Sequence, residues 1–213
     1  MEVLAQISAS LSSGDDAKVG ELTRQAIAEG IAPKNILDTG LLAGMSEVGK
    51  RFKTHEIFLP DVLLAAKAMH AGMDELRPLL VQEGIQHIGK VVIGSVQGDL
   101  HDIGKNLVGT MLKGAGFEVI DLGHDVAPEK FVESASENGA SVIGMSALLT
   151  TTMPMMKRVV ECVRERNLSG DVKTIIGGAP VSANFAREIG ADAYGFDAIN
   201  AVEQVKALVG VNE

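Results

Sequence analysis

From residue 89 onward, short runs rich in β-branched residues alternate with longer stretches of helical periodicity. The runs predicted as strands are Val91–Ile93, Glu118–Ile120, Val142–Gly144 and Val172–Ile176, with a weaker fifth run at Ala193–Tyr194. The helices predicted between and after them are Gly104–Lys113, Pro128–Asn138, Pro154–Arg166, Ser182–Ile189 and Ala198–Val209. Strands that alternate with helices join into a parallel sheet through right-handed crossovers. This part of the chain is therefore predicted to be a doubly wound, flavodoxin-like α/β domain.

The first 83 residues carry helical periodicity instead. The pattern predicts helices that begin near Leu4, at Ala17, at Pro33 and at Pro60, and Pro78 is expected to kink or end the last of them. Four helices with short connections are typical of an up-and-down bundle. We therefore expect a helical domain at residues 1–86 and an α/β domain at residues 87–213, with a linker at residues 82–86.

Charge and composition exclude several classes of partner. The formal net charge is −9, Lys and Arg form no run, and aromatic residues make up only 3% of the chain. A phosphate backbone would be repelled, so no nucleic-acid partner is expected. No apolar segment is nearly as long as the about 20 residues needed to span a bilayer, so no membrane partner is expected either. Cys162 is the only cysteine and is expected to be a buried structural thiol in a cytoplasmic protein.

The loop after the first predicted strand holds the most chemistry. It spans residues 98–106, with the sequence GDLHDIGKN, and it brings Asp99, His101 and Asp102 within four residues. In an open parallel sheet the ligand crevice lies beyond the carboxyl ends of the strands. A neutral imidazole at that edge can bind a metal or act as a base, and Asp99 can accept the proton of its other ring nitrogen. The alternative is that these groups only cap the helix and solvate the loop.

The same string is similar to the D-x-H-x-x-G signature of the cobalamin-binding domain shared by methionine synthase, the base-off mutases and small corrinoid methyl carriers. Two further pieces resemble this family: Ser146-Ala147-Leu148 after the third strand and Gly177-Gly178 at the end of the fourth. Residues 47–80 resemble the helical cap of the methyl-transferring branch. The similarity is greatest to the corrinoid proteins of methylamine and methanol methyltransferase systems.

The resemblance implies a role for each matching residue. His101 is expected to displace the benzimidazole of a cobalamin or related corrinoid and to ligate cobalt from below. Asp99 is expected to hydrogen-bond that imidazole and to couple its release to proton uptake, so His101 and Asp99 are the predicted catalytic pair. Thr152 stands where methionine synthase has a serine that extends the pair. The predicted cofactor contacts are Gly98, Asp99, His101, Asp102, Ile103, Gly104, Ser146, Leu148, Thr150, Thr152, Gly177, Gly178 and Phe58.

Other residues receive weaker expectations. Gly94, Gly177 and Gly178 are expected to leave room for the nucleotide tail, because they carry no side chain. Phe58 is a core or staple residue by its pattern alone, whereas the resemblance implies that it covers the methyl group on cobalt. Lys105 is expected at the surface and His55 is expected to be solvated. His124, after the second strand, is expected to face the same rim as His101, but it lies outside the motif and receives no role.

The predicted function is that of a corrinoid methyl carrier. It would accept a methyl group on cobalt from a substrate-specific methyltransferase and pass it to an acceptor through a second methyltransferase, with a reductive activator as a third partner. Three alternatives stay open at this point. They are a cobalamin-dependent sensor, the small subunit of an adenosylcobalamin mutase, and a flavodoxin-like or receiver-type domain that binds no corrinoid.

Overall fold

The computed structural model describes residues 2–83 and 87–211. The chain divides into two compact units, one of Met1–His87 with Gly114–Gly116 and the other of Ile88–Lys113 with Phe117–Glu213. Residues 84–86 of the predicted linker lie outside the described residues, whereas Gln82 ends a helix and Glu83 caps it. Within residues 2–83 and 87–211, no helix is both long and apolar enough to cross a membrane.

The first unit is built from helices throughout. Its segments are α1 (Glu2–Ser12), α2 (Asp16–Ala28), α3 (Pro33–Asn35), a π-helical segment (Ile36–Leu42), α4 (Ala43–Lys53) and α5 (Leu59–Gln82). The segments from Pro33 to Lys53 follow one another without a break, so they form the single helix that the sequence predicts there. The π-helical turns inside it are not visible in the apolar pattern, which repeats at the α-helical period.

Pro78 does not end α5, the last helix of this unit. Helix α5 continues past Pro78 to Gln82. Proline in a helix removes one backbone hydrogen bond, to the carbonyl four residues earlier. Here that carbonyl belongs to Asp74, and both Asp74 and Pro78 are exposed, so water can satisfy the freed oxygen.

Close approach of the helices depends on small residues. A Cβ atom on Gly72 of α5 would lie 2.6 Å from the Leu41 side chain and 3.1 Å from that of Val19. Leu41 and Val19 are fully buried, as are Ile7 and Leu11 of α1. The apolar stripes of α1, α2 and α5 thus meet in one core, which stabilises helices of 11 to 24 residues that would be marginal alone.

The second unit is a parallel five-stranded sheet with helices between its strands. The strands are β1 (Lys90–Ser95), β2 (Glu118–Asp121), β3 (Val142–Ser146), β4 (Lys173–Gly177) and β5 (Ala193–Gly195), in the order β2-β1-β3-β4-β5. The helices are α6 (Ile103–Gly114), α7 (Pro128–Asn138), α8 (Met153–Glu165), α9 (Ala183–Ile189) and α10 (Ala198–Leu208). The predicted α/β fold class is confirmed, and each predicted strand and helix of this unit has its counterpart within a few residues.

The strand order decides where the site lies. The chain places β2 on one side of β1 and then crosses to place β3 on the other side. The loops that leave β1 and β3 therefore open at the point where strand order reverses, which is where such sheets bind ligands. Val92, Ile143 and Ile176 from the three central strands belong to one core cluster that makes this edge rigid.

Cys162 lies in that core cluster, 3% exposed, on α8. Burial raises the pKa of its thiol, and the nearby Arg158 only partly opposes this. The predicted buried structural thiol is therefore confirmed, because a thiol without ready access to its thiolate form is a small apolar side chain.

Candidate functional site

The centre of the site is a buried carboxylate, Asp99, in the loop between β1 and α6. Its side chain is fully buried and accepts hydrogen bonds at both oxygens. Oδ1 accepts from the backbone N–H of His101 at 3.1 Å and lies 2.8 Å from Nδ1 of the same residue. Oδ2 accepts from the amides of Leu148 at 2.7 Å and Leu149 at 3.3 Å, and from the Thr152 hydroxyl at 2.7 Å. The carboxylate thus joins the β1–α6 loop to the β3–α8 loop.

These hydrogen bonds keep Asp99 ionised in spite of its burial. Burial by itself raises the pKa of the carboxyl group, because a charge is poorly solvated inside the protein. The hydrogen bonds from Thr152, from the Leu148 amide and from His101 act in the opposite direction and prevail. The pKa of Asp99 therefore lies well below its usual range, and at neutral pH the group is a permanent negative charge.

His101 takes its orientation from this carboxylate. Because Asp99 has no proton to donate, Nδ1 of His101 carries the ring proton in the 2.8 Å hydrogen bond. The lone pair of the neutral ring is then on Nε2, and the side chain is 50% exposed. The Ser95 hydroxyl also donates to the His101 carbonyl at 2.6 Å, which holds the backbone of the loop. The predicted pair is thus arranged as a metal ligand with a fixed tautomer.

Thr152 completes a chain of three side chains, Thr152–Asp99–His101. It is 6% exposed at the start of α8, so its hydroxyl donates to a buried charge. β-Branching does not prevent this contact.

Removing only that hydroxyl gives a testable consequence. Thr152→Val keeps the side-chain volume but takes one donor from the buried Asp99, and we expect the free energy of unfolding to fall by about 1–3 kcal/mol. Thr152→Ser keeps the donor and should lose only about 1 kcal/mol of apolar burial. Urea unfolding of the two apoproteins at pH 7 measures the difference. A valine variant as stable as the wild type would show that the hydroxyl contributes nothing.

Large apolar side chains are exposed on the same two loops. Leu100 in the β1–α6 loop and Ile103 at the start of α6 are 66% and 75% exposed, and Leu148 and Leu149 after β3 are 44% and 42% exposed. Phe196, which follows β5, is 65% exposed. Exposed apolar groups gathered at one edge of a sheet indicate a ligand surface. Ile103 and Leu148 were predicted from the sequence. Leu100, Leu149 and Phe196 were missed, because a leucine or phenylalanine in a loop carries no signal of its own.

The glycines at the strand ends allow two segments of backbone to approach each other closely. A Cβ atom on Gly178, whose φ is +128°, would overlap the carbonyl oxygen of Ala147, and one on Gly177 would lie 3.0 Å from that of Gly195. A Cβ atom on Gly94 would lie 2.8 Å from the Phe131 ring. The expectation that Gly94 leaves room for a nucleotide tail is therefore wrong, because the buried Phe131 already fills that space.

The remaining predicted contacts are spread over both units. In the β1–α6 loop, Gly98 has a φ of +84° and Asp102 is half-buried, and in the first turn of α6 Gly104 is exposed with nothing near its Cβ position. Ser146, the last residue of β3, is half-buried, and Thr150 in the following loop is exposed. These five, with Asp99, His101, Ile103, Leu148 and Thr152, lie in or beside the two loops that flank the switch point, so the strand order brings them to one edge.

Phe58 belongs to the helical unit. It is the N-cap residue of α5, is 65% exposed, and its N–H donates to the Asp61 carboxylate at 2.9 Å. An exposed ring is not a core residue, so the simpler of the two expectations for Phe58 is wrong. Its predicted role over the cofactor stays a prediction.

Lys105 corrects a further prediction. It was expected at the surface, but it is only 4% exposed. Its Nζ lies 2.6 Å from each carboxylate oxygen of Asp121 and 2.6 Å from Oδ1 of Asn106. Because Asp121 ends β2 and β2 pairs with β1, the ion pair ties the start of α6 to the neighbouring strand. His55 is exposed, as expected, and His124 in the loop after β2 is exposed too.

Comparisons with known proteins agree with this geometry. Residues 89–206 match a family model described as a B12 binding domain, and residues 3–77 match a second model of the same description. The chain is 42% identical to trimethylamine corrinoid protein 1 of Methanosarcina mazei over 210 residues, which is 98% of this chain and 97% of that protein. It is 47% identical to dimethylamine corrinoid protein 1 of Methanosarcina acetivorans over 178 residues, 83% of this chain and 84% of that protein.

A solved structure is similar over nearly the whole chain. A chain from the methanol:cobalamin methyltransferase complex MtaBC of Methanosarcina barkeri superposes with a TM-score of 0.89 at 30% identity. The alignment covers 99% of this chain and 81% of that chain. The fold and the site define a B12-binding protein. More particularly, the chain belongs to the family of corrinoid proteins of methyltransferase systems, whose cofactor is cobalamin or a related corrinoid.

The residues of the α/β unit fit that group. A corrin ring supplies four nitrogen ligands itself, so the protein needs to provide only an axial donor, and the His101 imidazole is oriented for this by Asp99. The exposed apolar side chains beside it suit the broad, largely apolar face of a macrocycle.

Proposed function

We propose that this protein carries a methyl group between two methyltransferases on the cobalt of its corrinoid. A substrate-specific methyltransferase loads the methyl group, and a second methyltransferase passes it to an acceptor. The observation that carries the proposal is the hydrogen-bonded chain Thr152–Asp99–His101. It orients the His101 imidazole at the carboxyl edge of the sheet. The relatives named for trimethylamine and dimethylamine, and the methanol methyltransferase complex, supply the class of donor.

The cofactor and the side chains of the protein would have different tasks. When bound, the corrinoid supplies a metal centre that can accept and donate a methyl group. His101 would hold the cofactor through Nε2, with Asp99 keeping the Nδ1 proton in place. The exposed side chains of Leu100, Ile103, Leu148 and Leu149 would exclude water from the face of the cofactor on which His101 lies.

The carboxylate of Asp99 is proposed as a fixed negative charge beside His101. The sequence-based expectation coupled proton uptake on release of the ligand to Asp99, but the pKa of Asp99 lies too far below its usual range for that group to be protonated near neutral pH. The catalytic pair therefore keeps both members with different tasks: His101 would hold the metal, and Asp99 provides the charge.

The proposal includes further partners and a domain division. A reductive activator is the third partner, since a cofactor that works in a low-valent state needs restoring after accidental oxidation. We place the helical domain at residues 1–86 and the cobalamin-binding domain at residues 87–213. Ser146, Thr150, Gly177 and Gly178 are proposed as contacts of the nucleotide tail, and Phe58 as a contact of the cofactor from the helical domain.

The test is reconstitution followed by single-turnover methylation. The protein is loaded with hydroxocobalamin, reduced with titanium(III) citrate, and incubated with carbon-labelled trimethylamine, dimethylamine or methanol and the matching methyltransferase. We expect about one labelled methyl per bound corrinoid with one of the pairs, and its loss when a second methyltransferase and its acceptor are added. Methyl iodide serves as a chemical control that the corrinoid is competent. Protein that is methylated by methyl iodide but by no enzyme would contradict the carrier function and favour a sensor.

A further inference from the structure

The loop that carries His101 is held from a second side, by the loop after β2. The Asp125 carboxylate accepts from the backbone N–H of Gly98 at 2.7 Å, and the Asp125 N–H donates to the carbonyl of Asp99 at 3.0 Å. One residue thus makes two hydrogen bonds to the dipeptide Gly98–Asp99, which ends one residue before the candidate ligand His101. Neither the motif in the β1–α6 loop nor the roles described above include Asp125.

Asp125 makes these bonds in an uncommon backbone conformation. Its φ is +54°, in the left-handed region, where aspartate and asparagine are tolerated better than most other residues with a side chain. Gly98 has a φ of +84°, so both ends of the contact are left-handed. Residues in such conformations persist only where the surrounding structure holds them.

The surrounding structure does hold Asp125. The Val126 N–H donates to the Ser95 carbonyl at 3.0 Å, and the Ser95 N–H donates to the Gly123 carbonyl at 3.0 Å. Val96 and Val126 also form a parallel bridge. The backbone on both sides of Asp125 is therefore attached to the end of β1, and its carboxylate cannot leave Gly98 without a side-chain rotation or a break in this pairing.

Asp99 is consequently held at two different points. The β3–α8 loop binds its side chain, through Leu148, Leu149 and Thr152. The β2–α7 loop binds its backbone, through Asp125. Since Nδ1 of His101 is hydrogen-bonded to Asp99, the direction of Nε2 depends on both attachments.

We propose that Asp125 is a positioning residue for the cobalt ligand: its two hydrogen bonds hold the Gly98–Asp99 backbone so that His101 presents Nε2 to the metal. This inference deepens the proposed function, because it assumes that His101 ligates cobalt. Asp125 does not touch the metal; it acts through the backbone of Asp99 and is needed for the ligated state.

The test separates the hydrogen bond from the backbone conformation. Asp125→Gly removes the acceptor but suits a positive φ, whereas Asp125→Asn keeps an oxygen acceptor and also tolerates that φ. The matched control is Asn167→Gly, which makes the same kind of change at an exposed left-handed residue, φ +57°, that precedes β4. Any general effect of a glycine at such a position appears in the control.

Two readouts follow the imidazole directly. In proteins loaded with cobalt(II) corrinoid and labelled with nitrogen-15 histidine, electron paramagnetic resonance gives the ratio of histidine-ligated to unligated cobalt. In the apoproteins, long-range proton–nitrogen spectra give the tautomer of His101. We expect Asp125→Gly to lower the ligated-to-unligated ratio about tenfold, the scale of one lost charge-assisted hydrogen bond, and to mix the tautomers. Asp125→Asn and Asn167→Gly should stay within about twofold of wild type, well short of the tenfold change that would mark a lost bond.

The outcomes are distinguishable from those of the proposed function. Wild-type protein without a histidine signal on cobalt would refute the ligand assignment itself, and the apoprotein spectra would still decide whether Asp125 orients the ring. Wild-type protein with that signal, and an Asp125→Gly variant with an unchanged ratio, would overturn the positioning role alone. So would an Asp125→Asn variant as impaired as Asp125→Gly, because the retained oxygen should suffice.

Discussion

Replacing His101 with alanine is expected to remove the nitrogen ligand of cobalt and to leave the α/β unit folded. The His101 side chain is 50% exposed, so the substitution opens no cavity in the core. Asp99 loses one hydrogen bond of its set but keeps those from the His101 N–H, Leu148, Leu149 and Thr152. We therefore expect the free energy of unfolding of the apoprotein to fall by no more than about 1 kcal/mol.

The effect on the cofactor is expected to be complete. Electron paramagnetic resonance of the cobalt(II) form should show coupling to a protein nitrogen in the wild type and none in His101→Ala. The matched control is His124→Ala, which removes another exposed histidine, from the loop after β2. A variant at His101 that keeps the nitrogen coupling, or a loss of coupling at His124, would move the ligand to a different residue.

Asp99→Asn is expected to have the largest effect on stability. All the hydrogen-bond partners of the carboxylate are donors: two N–H groups of His101, the amides of Leu148 and Leu149, and the Thr152 hydroxyl. The NH2 group of an asparagine would have to face some of these donors, so two hydrogen-bond donors would oppose each other inside the protein. We expect the free energy of unfolding at pH 7 to fall by about 2–4 kcal/mol, the cost of unsatisfied buried groups and lost charge-assisted bonds.

The pH dependence of this difference follows from the lowered pKa of Asp99. A carboxylate whose pKa is lower in the folded state stabilises that state above the pKa of the unfolded chain, about 3.9, and the contribution is lost as the pH falls towards the folded value. The difference in unfolding free energy between wild type and Asp99→Asn should therefore narrow below about pH 4. Urea unfolding of the apoproteins between about pH 5 and about pH 3 measures it.

Asp102→Asn is the matched control for that experiment. It makes the same substitution three residues further along the same loop, at a half-buried carboxylate whose backbone, through its carbonyl, accepts from Asn106 at 2.8 Å. We expect only a small change in the free energy of unfolding at pH 7. An Asp99→Asn variant as stable as the control at pH 7, or a gap that does not narrow below about pH 4, would contradict the buried, ionised state of Asp99.

The sequence alone predicted most of the second unit because its signals are local. The β-branched runs at Val91–Ile93 and Val142–Gly144 are typical of strands, and each lies inside an observed strand. Pro128 begins α7 and Gly139, with a left-handed φ of +63°, follows its last residue, so both bounds of that helix were predicted correctly. The pairing of Asp99 with His101 is local too, since the two residues are separated by one position.

The predictions that failed concern contacts between distant segments. The burial of Lys105 depends on Asp121, which lies beside it only because β2 pairs with β1. The filling of the space beside Gly94 depends on Phe131, which comes from α7.

By itself, the sequence determined the class of fold, and it predicted the candidate ligand His101, its carboxylate Asp99 and the edge of the sheet where the two residues lie. Tertiary structure alone decided how that carboxylate is kept ionised and how it is held. Its hydrogen bonds from Leu148, Leu149 and Thr152 span 49 to 53 residues of chain, and the bond from Gly98 to Asp125 spans 27. Such contacts follow from strand order, which places the ends of β2 and β3 on either side of β1. Local periodicity carries no information about that order, because it reports the environment of a residue and not which segment provides it.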